Sequence, residues 1–106
     1  MITQELVNRA VQVLIYEANP QRIVLFGSLA RNEGGPQSDA DFLIVTNHCP
    51  ENRFAMATRL RRSLSPIGIP VDIVVHDAET VRDWADTPGT LLYTIQHEGK
   101  VVYEKL

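Results

Sequence analysis

The chain has one cysteine, Cys49, so no internal disulfide can form, and a lone thiol fits a reducing compartment. Positive charge is not in excess. A net charge of −3 argues against a broad electrostatic attraction to nucleic acid. Aromatic residues are sparse, and Trp84 and Tyr93 read as core or partner-interface residues rather than base-stacking platforms. No apolar run approaches the roughly 18–20 residues that cross a bilayer. The opening "MITQELVNRA" has neither the basic start nor the apolar block of a signal peptide. These absences together predict a cytoplasmic protein that avoids membranes and does not bind nucleic acid directly. There is no GxxxxGK[ST] run, which excludes a P-loop, and no EF-hand loop pattern. Repeats and low-complexity segments are also missing.

What is present reads as one globular domain over residues 1–106, a typical domain length with an ordinary apolar share. Thr3 can cap a helix over 4–18, with Leu6, Val7, Ala10, Val11, Leu14 and Ala18 on its apolar face, ended by Asn19-Pro20. "RIVLF" (22–26) reads as a buried strand closed by Gly27, and "DFLIV" (41–45) as a second. A helix over 51–64 places Phe54, Ala57, Leu60 and Leu64 at helical spacing. "VDIVVH" (71–76) is a third strand. A short helical segment starts at Asp77 or Thr80 and runs through Trp84. Thr87-Pro88 fits the start of a last helix reaching Glu98, with Gly99 as its C-cap. "VVYE" (101–104) is a short edge strand. The expected class is α/β (α+β): a small mixed sheet flanked by helices.

One stretch resists a purely structural account. Between the first two strands the chain reads "GSLARNEGGPQSDAD" (27–41), and Asp is disfavoured in strands. Residues two apart on a strand share a side, so Asp39 and Asp41 can point together. Asp72, at the start of the third strand, joins them if that strand lies beside the second. Three clustered carboxylates repel and raise at least one pKa, a conflict that a divalent cation removes. Mg²⁺ suits such hard oxygen ligands and shares them with phosphates. Gly27 allows close backbone approach to a phosphate, and Ser28 with the following turn amides can donate to it. A phosphate cradle beside a carboxylate clamp is equipment for phosphoryl or nucleotidyl transfer.

"GS", ten residues (29–38), then "DAD" resembles the GSx₁₀DxD signature of the DNA polymerase β-like nucleotidyltransferase superfamily. With the third acid in "PVDIVV" and the closing "IQHEGKVVYE", the chain resembles the minimal nucleotidyltransferase (MNT) branch over roughly residues 5–104. One departure is Asn32, where the family commonly has glycine after Ala-Arg; Gly34 and Gly35 follow. The resemblance implies that Asp39, Asp41 and Asp72 are catalytic and hold two Mg²⁺ ions. Gly27 and Ser28 would contact the triphosphate of ATP, and Arg31 would neutralise phosphate charge. Larger relatives add an acceptor-binding domain, so here the acceptor is expected on a shallow surface or on another protein. MNT proteins are typically paired with HEPN-domain RNase toxins, whose tyrosine some of them modify with AMP. The implied function is therefore an antitoxin that transfers AMP to a HEPN partner. The alternative is a binding module that occludes the partner without chemistry. A hetero- or homo-oligomer is expected, through the last strand and the segments carrying Trp84, Leu91, Leu92 and Tyr93.

The remaining polar residues read as structural. Arg59, Arg61 and Arg62 form a solvated helix face rather than a phosphate grip. His48, His76 and His97 show no zinc-type spacing, Cys49 lacks a charged activator in sequence, and Tyr103 is expected to pack.

Overall fold

A computed structural model describes residues 2–33, 35, 38–47 and 51–106. The expected Cys49 and His48 therefore lie outside the described residues, as do Gly34 and Pro50.

Helix α1 (Gln4–Ala18) begins where the Thr3 hydroxyl accepts a hydrogen bond from the Leu6 amide at 3.2 Å. This satisfies one of the amides left open at a helix start. It ends at Asn19, whose φ of 43° takes the left-handed conformation before Pro20. Val7, Ala10, Val11 and Leu14 make its buried stripe, with Leu6 and Ala18 at the margins. Four strands follow the chain as β1 (Arg22–Phe26), β2 (Ala40–Thr46), β3 (Val71–Asp77) and β4 (Lys100–Glu104). They form one mixed sheet in the order β3-β2-β1-β4. β1 runs antiparallel to both β2 and β4, whereas β3 is parallel to β2 and is reached through α2 (Arg53–Leu64). A parallel pair needs such a crossover.

Strand alternation divides the core into two layers. Ile23, Leu25, Phe42, Ile44, Ile73 and Val75 pack beneath α1 and α2. Val24, Leu43 and Val45 face the opposite way, toward Val81, Leu92 and Ile95 of two short helices, α3 (Ala78–Trp84) and α4 (Leu91–Glu98). Each fully buried aliphatic side chain contributes about 1.5–3 kcal/mol.

Several expectations shift. On α2 the buried stripe is Met56, Ala57, Leu60 and Leu64, while Phe54 is 68% exposed beneath the Arg53 guanidinium. Ala57, Leu60 and Leu64 face inward as expected, Met56 takes the place expected of Phe54, and Asn52 caps the helix. The last helix does not start at Pro88. Gly89 takes a φ of 89°, incompatible with a helix, and Thr90 becomes the cap, its hydroxyl accepting from the Tyr93 amide. Asp77 caps α3 through the Thr80 amide at 2.7 Å. Trp84 is half exposed and so is not a core residue. β4 carries a bulge: Val24 pairs with Val101 and Ile23 with Tyr103, leaving Val102 as the extra residue. Val102 and Tyr103 consequently both pack on the α1 side. Among the described residues no helix is long and apolar enough to cross a membrane.

Candidate active site

The acids meet at one end of the sheet. Register places Asp41 on β2 directly beside Asp72 on β3, and Phe26, the last residue of β1, on its other flank. Partners in a parallel pair project to the same face, here the face that carries Leu43, Val45 and Val74. Helices α3 and α4 cover that face farther along, over Leu43 and Val45, so Asp41 and Asp72 emerge beyond their cover. Asp41 is half-buried, whereas Asp72 and Asp39 are exposed. Burial raises the Asp41 carboxyl above its ordinary value, and the neighbouring charges of Asp72 and then Asp39 push it further. Both acids therefore lie within electrostatic reach of Asp41, and Asp39 stands just before β2 begins.

The turn after β1 lies against the same carboxylate. Gly27 has a φ of 77°, and an added Cβ would collide with Asp41 Oδ2 and lie 3.2 Å from its Cγ. The turn then folds on itself. The Arg31 amide bonds to the carbonyls of Gly27 and Ser28, Asn32 to Leu29, and Glu33 to Ser28 at 2.9 Å. These three amides are committed, so any donation to a phosphate falls to the amides of Ser28, Leu29 and Ala30. None of those has a backbone partner among the described residues. Arg31 is held by Glu33 at 2.9 Å and reaches Glu98, the last residue of α4, at 3.9 Å. Sequence reasoning missed both acids. Glu33 was available from its spacing of two, but nothing in the sequence places Glu98 beside Arg31.

Among the described residues no three His, Cys, Asp or Glu groups stand close enough together to hold a metal ion as placed. Two register-paired carboxylates, with the Gly27 cradle beside them, nevertheless supply hard anionic donors of the kind Mg²⁺ takes. The donor set fits a divalent cation completed by other oxygens. A cavity of about 340 Å³ opens at the opposite end of the same face, between Gln21, Arg22, Ala78, Arg82 and Asp86.

The other polar candidates lie apart from the acids. Arg59 bridges α1 and α2, bonding to Glu51 at 2.9 Å and approaching Glu17 at 3.6 Å, while Arg61 and Arg62 face solvent. His97 stacks on Tyr93 with ring centroids 4.0 Å apart. Burial, aided by Arg53, lowers the pKa of His76 against the opposing pull of Asp77.

Residues 8–106 match the family described as Polymerase beta, Nucleotidyltransferase, and the chain belongs to that family. Its mixed four-stranded sheet flanked by helices is the fold expected of it. Among solved structures, the chain is similar to a nucleotidyltransferase from Sulfolobus solfataricus. They share 21% identity and a TM-score of 0.65, covering 95% of this chain and 79% of the other. It also resembles a chain of the tri-AMPylated Shewanella oneidensis HEPN toxin in complex with MNT antitoxin. There the identity is 20% and the TM-score 0.57, over 98% of this chain and 74% of the other. A third likeness is to a toxin-antitoxin structure with AMP-PNP, at 22% identity and a TM-score of 0.59, over 92% and 73% of the respective chains. No curated protein matches the chain.

Proposed function

We propose that the protein is an MNT-type antitoxin that transfers AMP from ATP to a tyrosine hydroxyl of a partner HEPN RNase. The observation that carries this reading is the pairing of Asp41 with Asp72 beside the Gly27-Ser28 turn, in a chain of the nucleotidyltransferase family. The Shewanella likeness, whose toxin is tri-AMPylated in complex with an MNT antitoxin, supports the choice of acceptor. The likeness with AMP-PNP supports an adenine nucleotide.

In the transfer, the tyrosine oxygen bonds to the α-phosphorus as the bridging bond to the β-phosphate breaks. Pyrophosphate leaves and the hydroxyl proton is given up. Mg²⁺ held by Asp39, Asp41 and Asp72 would neutralise charge on the phosphates and favour the ionised hydroxyl. Asp41 on β2, with Asp39 just before that strand, anchors the nucleotide end. Asp72 approaches from the next strand and serves the acceptor side. Ser28 and the open amides of Leu29 and Ala30 hold the triphosphate in place. Arg31 exchanges its carboxylate partners for phosphate oxygens.

A second reading is occlusion of the partner without chemistry. One experiment separates them. The wild-type protein and Asp72→Asn are each mixed with a purified HEPN RNase toxin as the candidate partner and with α-labelled ATP. Label transfer and RNase activity are then measured together. AMP transfer predicts that Asp72→Asn loses label by roughly 100-fold or more and loses neutralisation with it. Neutralisation that survives without label would leave occlusion as the function.

A further inference from the structure

We propose that Gly27 is a positioning residue for Asp41: its missing side chain leaves the space that the Asp41 carboxylate occupies, which keeps that carboxylate beside Asp72. The usual roles for a glycine here are a backbone conformation closed to other residues and close approach of a phosphate. The first applies, because φ is 77°. Yet the three nearest atoms that a side chain at Gly27 would meet beyond its chain neighbours belong to Asp41: Oδ2, Cγ at 3.2 Å and Cβ at 3.6 Å. Neither the backbone nor the core would be struck. Phe26 is the register partner of Asp41, so Gly27 leaves the sheet immediately beside that side chain. A methyl group there would drive the carboxylate to another rotamer, because the rest of Asp41 is fixed between β1 and β3. The pairing with Asp72 would then be lost while both acids remained.

The chain contains its own control. Gly68 has a φ of 79°, almost the same as Gly27, but nothing lies within 4 Å of its would-be Cβ. Gly68→Ala therefore reports backbone strain alone, and Gly27→Ala reports strain plus collision. The inference rests on the reading of Asp41 and Asp72 as a cation site for nucleotide, although its steric half does not.

The test has two arms. Thermal melts in chelator compare Gly27→Ala with Gly68→Ala, first in the wild-type background and then with Asp41→Ala. Gly27→Ala should melt several degrees below Gly68→Ala, and the gap should close once Asp41 is truncated. If Gly27→Ala does not fold at all, recovery of folding in Gly27→Ala/Asp41→Ala is the corresponding supporting result. A gap or a folding defect that persists without the Asp41 carboxylate overturns the proposal. Calorimetric titration with Mg²⁺ and ATP forms the second arm. Gly27→Ala should bind at least tenfold more weakly than wild type, and Gly68→Ala within twofold of it. Wild-type affinity in Gly27→Ala also overturns the proposal. Should the wild-type protein itself fail to bind, the nucleotide reading falls, and the melts still decide the steric relationship.

Discussion

Asp41 and Asp72 are register partners on adjacent parallel strands, although 30 positions and a whole helix separate them in the chain. Two carboxylates side by side at a strand start make no structural sense as packing. They add like charge to a half-buried position where a hydrophobic residue would stabilise the sheet. Their placement is a liability in the isolated protein, and a ligand that pairs with both turns it into an asset.

Magnesium with ATP should therefore raise the melting temperature. A ligand confined to the folded state adds about 2.7 kcal/mol at a hundredfold excess over its dissociation constant. For a domain of this size that is a shift of roughly 10 °C or more. Asp39→Asn/Asp41→Asn should fold and show no shift. Differential scanning fluorimetry with and without millimolar MgATP checks this, and a wild-type protein that ignores the ligand would contradict a nucleotide site.

The Asp41 shift gives a pH dependence of definite sign. Its pKa is raised above 3.8 in the folded state, so the folded protein holds this proton more tightly than the unfolded chain does. Stability attached to this group is full below about 3.8 and falls as the pH rises through the raised value. In chelator at pH 7, Asp41→Asn should consequently melt above wild type, and the advantage should vanish near pH 3. Melting curves across that range test it. An Asn variant less stable than wild type at neutral pH would show that the carboxylate is favourably paired.

Thr46 presents the opposite case, a liability with no visible use. Its hydroxyl is buried and has no hydrogen-bond partner among the described residues. Thr46→Val keeps the branched shape and removes an unsatisfied group, so it should stabilise by about 1 kcal/mol in urea denaturation. A loss of stability would reveal a partner for the oxygen.

The bridge from Arg59 to Glu17 and Glu51 should matter modestly. Its groups are each about a third or more exposed, and exposed pairs contribute about 0.2–1 kcal/mol. Arg59→Ala should lower stability by about 1 kcal/mol at low salt and by less at 0.5 M NaCl. Leu60→Ala, on the same helix but fully buried, should cost about 2–5 kcal/mol regardless of salt.

Much of this architecture was legible in the chain. The α1 stripe follows from the spacing of Val7, Ala10, Val11 and Leu14, and its stop from Asn19-Pro20. The strands announce themselves as short β-branched runs. Phase and order are harder. Phe54 and Met56 sit two apart on an amphipathic helix, and only the neighbouring sheet decides that Met56 goes inward. Pro88 looked like a helix start, but the left-handed Gly89 next to it delays the helix to Leu91. The acids Asp39, Asp41 and Asp72 stood out chemically. That β3 lies against β2 in a register that pairs Asp41 with Asp72 is tertiary information, as is the reach of Glu98 toward Arg31. The collision that reserves Gly27 for Asp41 could not be read from a Gly-Ser dipeptide at all.

The bulge at Val102 has a colloidal consequence. β4 is an outer strand of the sheet, and a flat outer strand is a template on which copies of a protein stack without limit. The extra residue twists this border and breaks the even ladder of donors and acceptors, while Lys100, Glu104 and Lys105 surround it with charge. Growth of the sheet into a fibre is thus discouraged by a single residue on a five-residue strand.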